Sequence, residues 1–322
     1  MSRVTVLVAA YNAGKYLEAC LDSLVNQTLK DIQIVCIDDA STDSTPVILN
    51  KYASKDSRIK ILKRSENAGQ AVARNMGIEV ADGDYITMVD ADDYLSSDAL
   101  EKAVNILDAD PETGSVLLKL VYVNGTEETP YPMRFDKTEW SGEEAFRLSL
   151  DWSVHGLYVS KAEIFKRFPY ETACRLYSDD NTTRMHYLYS GKVKTCDGIY
   201  YYRQHGESMT NRISALRLDL LEANTSMARQ LRETGQGRDV LALFERERWI
   251  NLTGIIGIWF KNSEILGREE AMERFRAVWN DTDKSLLPKG LKIKLGYIPC
   301  RNFKHYFRQV QFYFLLRRLL GK

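Results

Sequence analysis

One stretch of this chain has residue types that demand a partner. Tyr85-Ile86-Thr87-Met88-Val89 is an apolar, β-branched run of strand length, and it stops in three carboxylates, Asp90, Asp92 and Asp93. Like charges that close repel, and a buried carboxylate without a counter-charge is costly. A cation answers both difficulties. A hard divalent ion with oxygen ligands is the natural choice, above all one that also grips a phosphate. Solvated acids at an ordinary strand-to-loop transition give the same short pattern, so the surrounding elements must decide.

Those elements alternate. Val4–Ala10 is nearly all apolar and reads as a strand buried on both faces. Leu17, Cys20, Leu21, Leu24 and Val25 then recur at helical spacing. Ile32–Ile37 is a second buried strand, ending in Asp38 and Asp39. Thr45-Pro46 reads as an N-cap with proline at the first helical position, opening a helix to about Tyr52. Ile59–Leu62 is a third strand, Asn67-Ala68-Gly69 starts a third helix, and Tyr85–Val89 is the fourth strand. The alternation predicts an α/β fold with a doubly wound, mostly parallel sheet. Ligands of such sheets bind outside the carboxyl ends of the strands. Ala9–Tyr11, Asp38–Asp39 and Asp90–Asp92 are therefore expected to converge on one crevice.

The totals narrow the classes. The chain has 322 residues, 44% apolar and 27% charged, as in ordinary globular proteins. Formal net charge is zero, but residues 284–322 hold ten Lys/Arg and no Asp/Glu, leaving 34 basic against 44 acidic residues before them. Such a tail predicts an anionic partner. Five scattered cysteines without a C-x-x-C pair predict reduced thiols and a cytoplasmic setting. No run approaches the roughly 20 apolar residues of a membrane span. There is no G-x-G-x-x-G after the first strand, no G-x-x-x-x-G-K-[ST] loop, and no zinc spacing among the four histidines. A dehydrogenase, a P-loop enzyme and a zinc enzyme are disfavoured.

Five stretches in order carry a resemblance: VTVLVAAYN (4–12), SLVNQT (23–28), IDDASTDST (37–45), NAGQAVARNMG (67–77) and GDYITMVDADDYL (83–95). Together they resemble the inverting glycosyltransferases of family 2, which have the GT-A fold. GLYVSK (156–161), YSDD (177–180) and YYYRQHGESMT (200–210) resemble the acceptor half of that family. The resemblance implies a nucleotide-sugar-binding half at 1–95 and an acceptor-binding half at 96–212; beyond it, 213–322 reads from its apolar spacing as a helical region ending in a basic amphipathic tail.

Carried over by position, the resemblance implies a set of roles. Ala9, Tyr11 and Asp39 would hold the base, with Tyr11 stacking and Asp39 accepting an N–H from uracil. Arg74 would reach the ribose or diphosphate, and Asp90 the ribose or the metal's waters. Asp92, with Asp90, would ligate Mg²⁺ or Mn²⁺. Asp180 would be the general base, with Asp179 standing where the family has glutamate. At a helix start, Asp180 is expected to be held ionised by the terminal N–H groups, or alternatively to cap that helix. Tyr11 reads alternatively as packing against the strand end, and Arg74 as a solvated charge. His205, beside Arg203 and Gln204, reads as a structural histidine or a diphosphate contact.

The expected activity is metal-dependent, inverting hexosyl transfer from a nucleotide donor, UDP-linked by the resemblance, to a glycan or lipid-linked acceptor in cell-surface polysaccharide synthesis. The rivals are a nucleotidyltransferase, disfavoured by Tyr11-Asn12-Ala13-Gly14-Lys15 where a glycine-rich basic loop belongs, and a non-catalytic binding or scaffold protein. Glu245-Arg246-Glu247-Arg248-Trp249 lacks the glutamine of a processive synthase's Q-x-x-R-W motif. No nucleic-acid partner is expected. In the tail, Phe303, Tyr306, Phe307, Val310, Tyr313 and Phe314 recur at helical spacing beside Lys304, Arg308, Arg317 and Arg318. That helix is expected either to lie on an anionic membrane, placing the enzyme peripherally at the inner face of the plasma membrane, or to pack on the protein's own core.

Overall fold

A computed structural model describes residues 2–133, 137–205, 213–288, 291 and 302–320. The chain divides into two compact units, Met1–Asn211 and Arg212–Lys322.

The first unit is built on one ten-stranded sheet. Its opening strands are β1 (Val4–Ala10), β2 (Ile32–Asp38), β3 (Ile59–Lys63) and β4 (Tyr85–Met88), separated by helices α1 (Leu17–Val25), α2 (Thr45–Ala53) and α3 (Gln70–Glu79). These four strands pair in parallel in the order β3-β2-β1-β4. β1 is the centre, which explains why its sequence is apolar at nearly every position. Val4, Val6, Val8 and Ala10 face Leu17, Leu21 and Leu24 of α1 and Leu49 of α2. Leu7 faces the other way, toward Ala71, Ala73 and Ile78 of α3. The period of two thus sends alternate residues into two cores on opposite faces.

Beyond β4 the sheet is mixed. The short β5 (Tyr94–Leu95), α4 (Ala99–Ala109), β6 (Thr113–Asn124), β7 (Glu127–Pro130), β8 (Glu139–Ser141), α5 (Gly142–Ser149), β9 (Tyr158–Lys161), α6 (Ala162–Arg167), α7 (Ser178–Leu188) and β10 (Lys192–Arg203) follow in the chain. β9 is antiparallel to both β4 and β6, while β6 and β10 are parallel. β10 closes the edge against β5, with Tyr200 opposite Leu95 and Tyr201 opposite Tyr94. One sheet therefore runs through both 1–95 and 96–205.

Two local details differ from the sequence reading. Ser44, not Thr45, precedes α2, and the Thr45 hydroxyl instead accepts the N–H of Ala13 at 2.8 Å. That bond ties the loop after β1 to the loop after β2. At Gly77, a Cβ would come within 2.8 Å of the Leu7 side chain, so α3 lies unusually close to β1. Arg74, one turn earlier on the same face, is carried down toward the strand ends.

The second unit is helical. A 3-10 turn (Ala215–Leu218) leads into α8 (Asp219–Glu233), α9 (Arg238–Leu266), α10 (Glu269–Asp281) and α11 (Phe303–Leu319). Leu221, Leu252, Ile256, Phe275, Tyr306 and Val310 are among its core residues. Arg248 is fully buried and reaches Asp281 at 2.5 Å and Glu245 at 3.4 Å, while Trp249 packs on Tyr306. The stretch weighed against a synthase motif is thus part of the helical core. Residues 289–290 and 292–301 of the basic tail, and Gly206–Thr210 of the acceptor-half match, lie outside the described residues.

Candidate active site

The loops at the carboxyl ends of β1, β2 and β4 meet as the topology requires. Tyr11 is 52% exposed, which overturns its reading as a residue packed against the strand. Ala9 is half-buried beside it. Asn12 and Ala40 have φ of 50° and 64°, left-handed values that cost energy in residues other than glycine. The loops hold these strained positions by cross-bonds: the Asn12 side-chain oxygen accepts the N–H of Thr42 at 2.8 Å, and the Asn12 N–H donates to Ser41 Oγ at 3.0 Å.

Asp39 is 3% exposed. Its Oδ1 lies 2.8 Å from Arg64 and accepts the Ala68 N–H at 3.2 Å, and its Oδ2 accepts the Gly69 N–H at 2.8 Å. A carboxylate offers about four acceptor positions, so room is left on Oδ2 for one further donor.

Arg74 is 1% exposed, so the solvated-charge reading is wrong. A helix-surface position becomes a buried one because α3 lies so near the sheet. Nη2 of Arg74 meets Asp90 Oδ1 at 2.7 Å, and the guanidinium lies over the Tyr170 ring at 5.1 Å. Burial works to lower its pKa, but Asp90, then Tyr170 and Asp179, outweigh this and hold the charge firmly. Nη1 is buried with no hydrogen-bond partner.

The acid turn is gripped from β10. Tyr200 Oη accepts the Asp90 N–H at 3.1 Å and donates to Asp93 Oδ2 at 2.9 Å. The Arg203 N–H donates to Asp93 Oδ1 at 2.7 Å, and Arg203 Nε donates to the Asp92 carbonyl at 2.9 Å. Asp93 therefore turns inward, where burial, then Asp90 and Asp92, pushes its carboxyl up to about 8. Asp92 remains at the crevice with a 38% exposed side chain, 2.8 Å from His205 Nε2. An ionised carboxylate only accepts, so Nε2 carries the proton of that bond. A column of rings and guanidinium backs the pair. Tyr16 stacks on His205 at 4.9 Å, Arg203 lies over Tyr16 at 4.9 Å and over Tyr94 at 5.2 Å, and Tyr94 stacks on Tyr201 at 4.6 Å.

Across the crevice stands the start of α7. Asn75 of α3 clamps the chain before it, donating to the Tyr170 carbonyl and accepting the Tyr170 N–H, both at 2.8 Å. Asp179 is close enough to add to the raised pKa of the Asp90 carboxyl, itself due first to burial. Asp180 is at the third position of α7, and Tyr177, at φ 68°, precedes the helix. Asp180 is not the residue flanking the helix start, so the capping reading fails. It is also not held ionised as expected. Burial drives its carboxyl up to about 7, Arg184 opposing and Asp179 adding. Arg184 Nη2 is 3.7 Å from Asp180, and its guanidinium lies over the Trp152 ring at 5.3 Å.

Buried polar atoms usually find partners. In the first unit the described exceptions include Arg74 Nη1, His205 Nδ1, Ser178 Oγ and Arg184 Nε. Arg74 and His205 contact the acid turn, Ser178 opens α7, and Arg184 lies further along α7 beside Asp180. Among the described residues no three His, Cys, Asp or Glu side chains form a closed metal cage. Two carboxylates with substrate phosphates completing the shell are the usual arrangement for Mg²⁺, so Asp90 and Asp92 fit such an ion. Tyr16, Asn75, Tyr200 and Arg203 were not singled out from the sequence for the site. Their partners are far away in the chain, although Asn75 follows Arg74 and Arg203 lies beside His205.

The glycosyl transferase family 2 profile matches residues 5–173. The chain belongs to this family. Its activity is glycosyl transfer, and its first unit has the GT-A fold. GlyG, a glycosyltransferase of Streptococcus pneumoniae, is 30% identical over 225 residues, covering 64% of this chain and 72% of that one. A poly(ribitol-phosphate) beta-glucosyltransferase of Bacillus spizizenii is 32% identical over 216 residues, 65% of this chain and 33% of that one. The chain thus spans only a third of the second relative's length. Among solved structures, S. aureus TarS 1-349 in complex with UDP-GlcNAc has a TM-score of 0.75 at 21% identity, covering 99% of this chain and 92% of that one. The family membership removes the nucleotidyltransferase reading.

Proposed function

We propose that this family 2 enzyme moves a hexosyl group from a UDP-sugar to a hydroxyl of a glycan or lipid-linked acceptor, with inversion at the anomeric carbon. The observation that carries the proposal is a pair of buried, unpartnered nitrogens, Arg74 Nη1 and His205 Nδ1, in side chains that contact Asp90 and Asp92, with Asp179 of α7 close enough to act on Asp90. Arg74 Nη1 can only donate, so an anionic ligand satisfies it on entering. Exposed Tyr11 and the open acceptor position on Asp39 suit a base with a ring face and an N–H edge. The similarity to a structure that holds UDP-GlcNAc supports uridine.

In this reading Asp92, with Asp90, holds Mg²⁺ or Mn²⁺, which supplies charge neutralisation to the departing diphosphate. Arg74 Nη1 donates to the donor's phosphate or ribose. Asp180 accepts the proton of the acceptor hydroxyl as that oxygen bonds to the anomeric carbon and the bond from that carbon to the diphosphate oxygen breaks. A carboxylate with a pKa near the working pH suits this task. One displacement, without a covalent sugar–enzyme intermediate, inverts the centre.

Thermal-shift titration with UDP, UDP-sugars and GDP, each with and without Mn²⁺, tests the donor class. Binding to the native state alone raises the melting temperature by mass action. The proposal expects a shift with UDP ligands that grows with Mn²⁺. A larger shift with GDP would remove uridine, and no shift with any nucleotide would remove the donor site itself.

A further inference from the structure

The last helix carries two apolar faces. Phe303, Tyr306 and Val310 are buried in the helical core, and Phe314 lies against Gly257 of α9, where a Cβ would meet its ring. That inner face completes the packing of α11. Phe312, Leu315, Leu316, Leu319 and Leu320 stand outward, with exposures from 41% to 74%. Their spacing of i, i+3, i+4, i+7 and i+8 makes one continuous stripe. Val310 and Phe312, two positions apart, point in opposite directions around the helix.

Charge identifies what covers the stripe. Exposed Lys304, Arg308 and Arg318 follow one edge of it at i, i+4 and i+14, and the helix contains no acidic residue. A second copy of this chain would set arginine against arginine along that edge. The segment 289–301 brings Lys289, Lys292, Lys294 and Arg301 and no acid, so it offers the edge no counter-charge either. An anionic bilayer satisfies both features, with acyl chains for the leucines and acidic headgroups for the cations. No described helix is long and apolar enough to cross a membrane.

We propose that the outward stripe of α11 docks this enzyme flat on an anionic lipid surface. The proposal does not depend on which sugar is transferred. The experiment is co-sedimentation of the full chain with vesicles of phosphatidylcholine alone and of phosphatidylcholine mixed with phosphatidylglycerol. The wild type is expected to pellet with the mixed vesicles and to be released by salt. Leu316→Glu with Leu319→Glu removes the apolar contact, and Arg308→Gln with Arg318→Gln removes the edge charge. All four side chains face solvent, so melting temperatures should hold. Each pair is expected to weaken binding by about tenfold or more. Unchanged binding in both pairs, or a wild type that ignores mixed vesicles, overturns the proposal. A wild-type dimer that the leucine pair converts to monomer, without vesicle binding, assigns the stripe to a second copy instead.

Discussion

Arg74 reaches Asp90 with one guanidinium nitrogen at 2.7 Å and holds the other buried and unpartnered. One half of the guanidinium thus holds the acid turn, and in the proposed function the other donates to the nucleotide donor. Arg74→Ala should cost about 2 kcal/mol or more, because it empties the space of a fully buried side chain and takes the counter-charge from Asp90, itself only half-buried. Arg74→Lys keeps the charge but loses the fork, so its folding defect should be smaller while its donor KM rises. Chemical denaturation and donor-saturation kinetics on the two variants separate these effects. Equal donor KM in Arg74→Lys and wild type would take Arg74 out of donor binding.

Asp92→Asn is expected to leave folding intact and to abolish detectable transfer, with Mn²⁺ no longer increasing the nucleotide-induced thermal shift. The motive is its exposed side chain at the end of β4, the strand whose loop also carries Asp90. Full activity of this variant after EDTA treatment would dismiss the metal.

Asp180→Asn should lower transfer by about two to four orders of magnitude with donor binding little changed. Below pH 7 the wild-type rate should rise about tenfold per pH unit, then level off as Asp180, at about 7, becomes fully ionised. Stability has the opposite slope. A carboxyl raised above its ordinary 3.8 favours the folded state most fully below that value, and the advantage is lost as pH climbs to about 7. Asparagine has no such loss, so the variant should melt higher than wild type at pH 8 and close to it or lower at pH 4. Equal or lower melting of the variant at pH 8 contradicts the buried-carboxyl account, and transfer within a few-fold of wild type moves the base elsewhere.

Arg203→Ala removes the guanidinium between Tyr16 and Tyr94 and its bond to the Asp92 carbonyl. It touches no reacting atom in the proposed mechanism. Loss of such a support for a ligating residue commonly costs 10–100-fold in metal affinity or activity. The Mn²⁺ concentration for half-maximal activity should rise by that factor. A fall in kcat at unchanged Mn²⁺ dependence would instead place Arg203 against the substrate.

The first four strands were legible because each is apolar over a strand length, and the helices between them keep a 3.6-residue period. That regularity alone is enough to bring Tyr11, Asp39 and Asp90 to one edge of the sheet. Burial of Arg74 was not legible. Its neighbours in the chain look like those of a surface helix, and the reason for its burial is the contact of Gly77 with Leu7. Nor was the pKa of Asp180, because a helix start lowers a carboxyl while desolvation raises it, and only the surroundings say which wins. The second unit was the least legible. In the sequence Arg248 enters only through comparison with a synthase motif, while its partner Asp281 comes from the next helix, a pairing that no local pattern shows.

The hold of β10 on the acid turn has a consequence in time. Asp93 precedes its donor Arg203 by 110 positions, and Asp92 precedes His205 by 113. During synthesis the acids leave the ribosome long before the strand that fixes them. β1 to β4 can pair early, since their parallel crossovers are complete by Met88. The nascent chain therefore owns a nucleotide sheet whose acid turn is still loose. A chain arrested before residue 192 has its carboxylates but no Tyr200, Arg203 or His205 to aim them. If the acid turn holds the donor as proposed, competence to bind it would arrive only with β10, once most of the first unit has been translated.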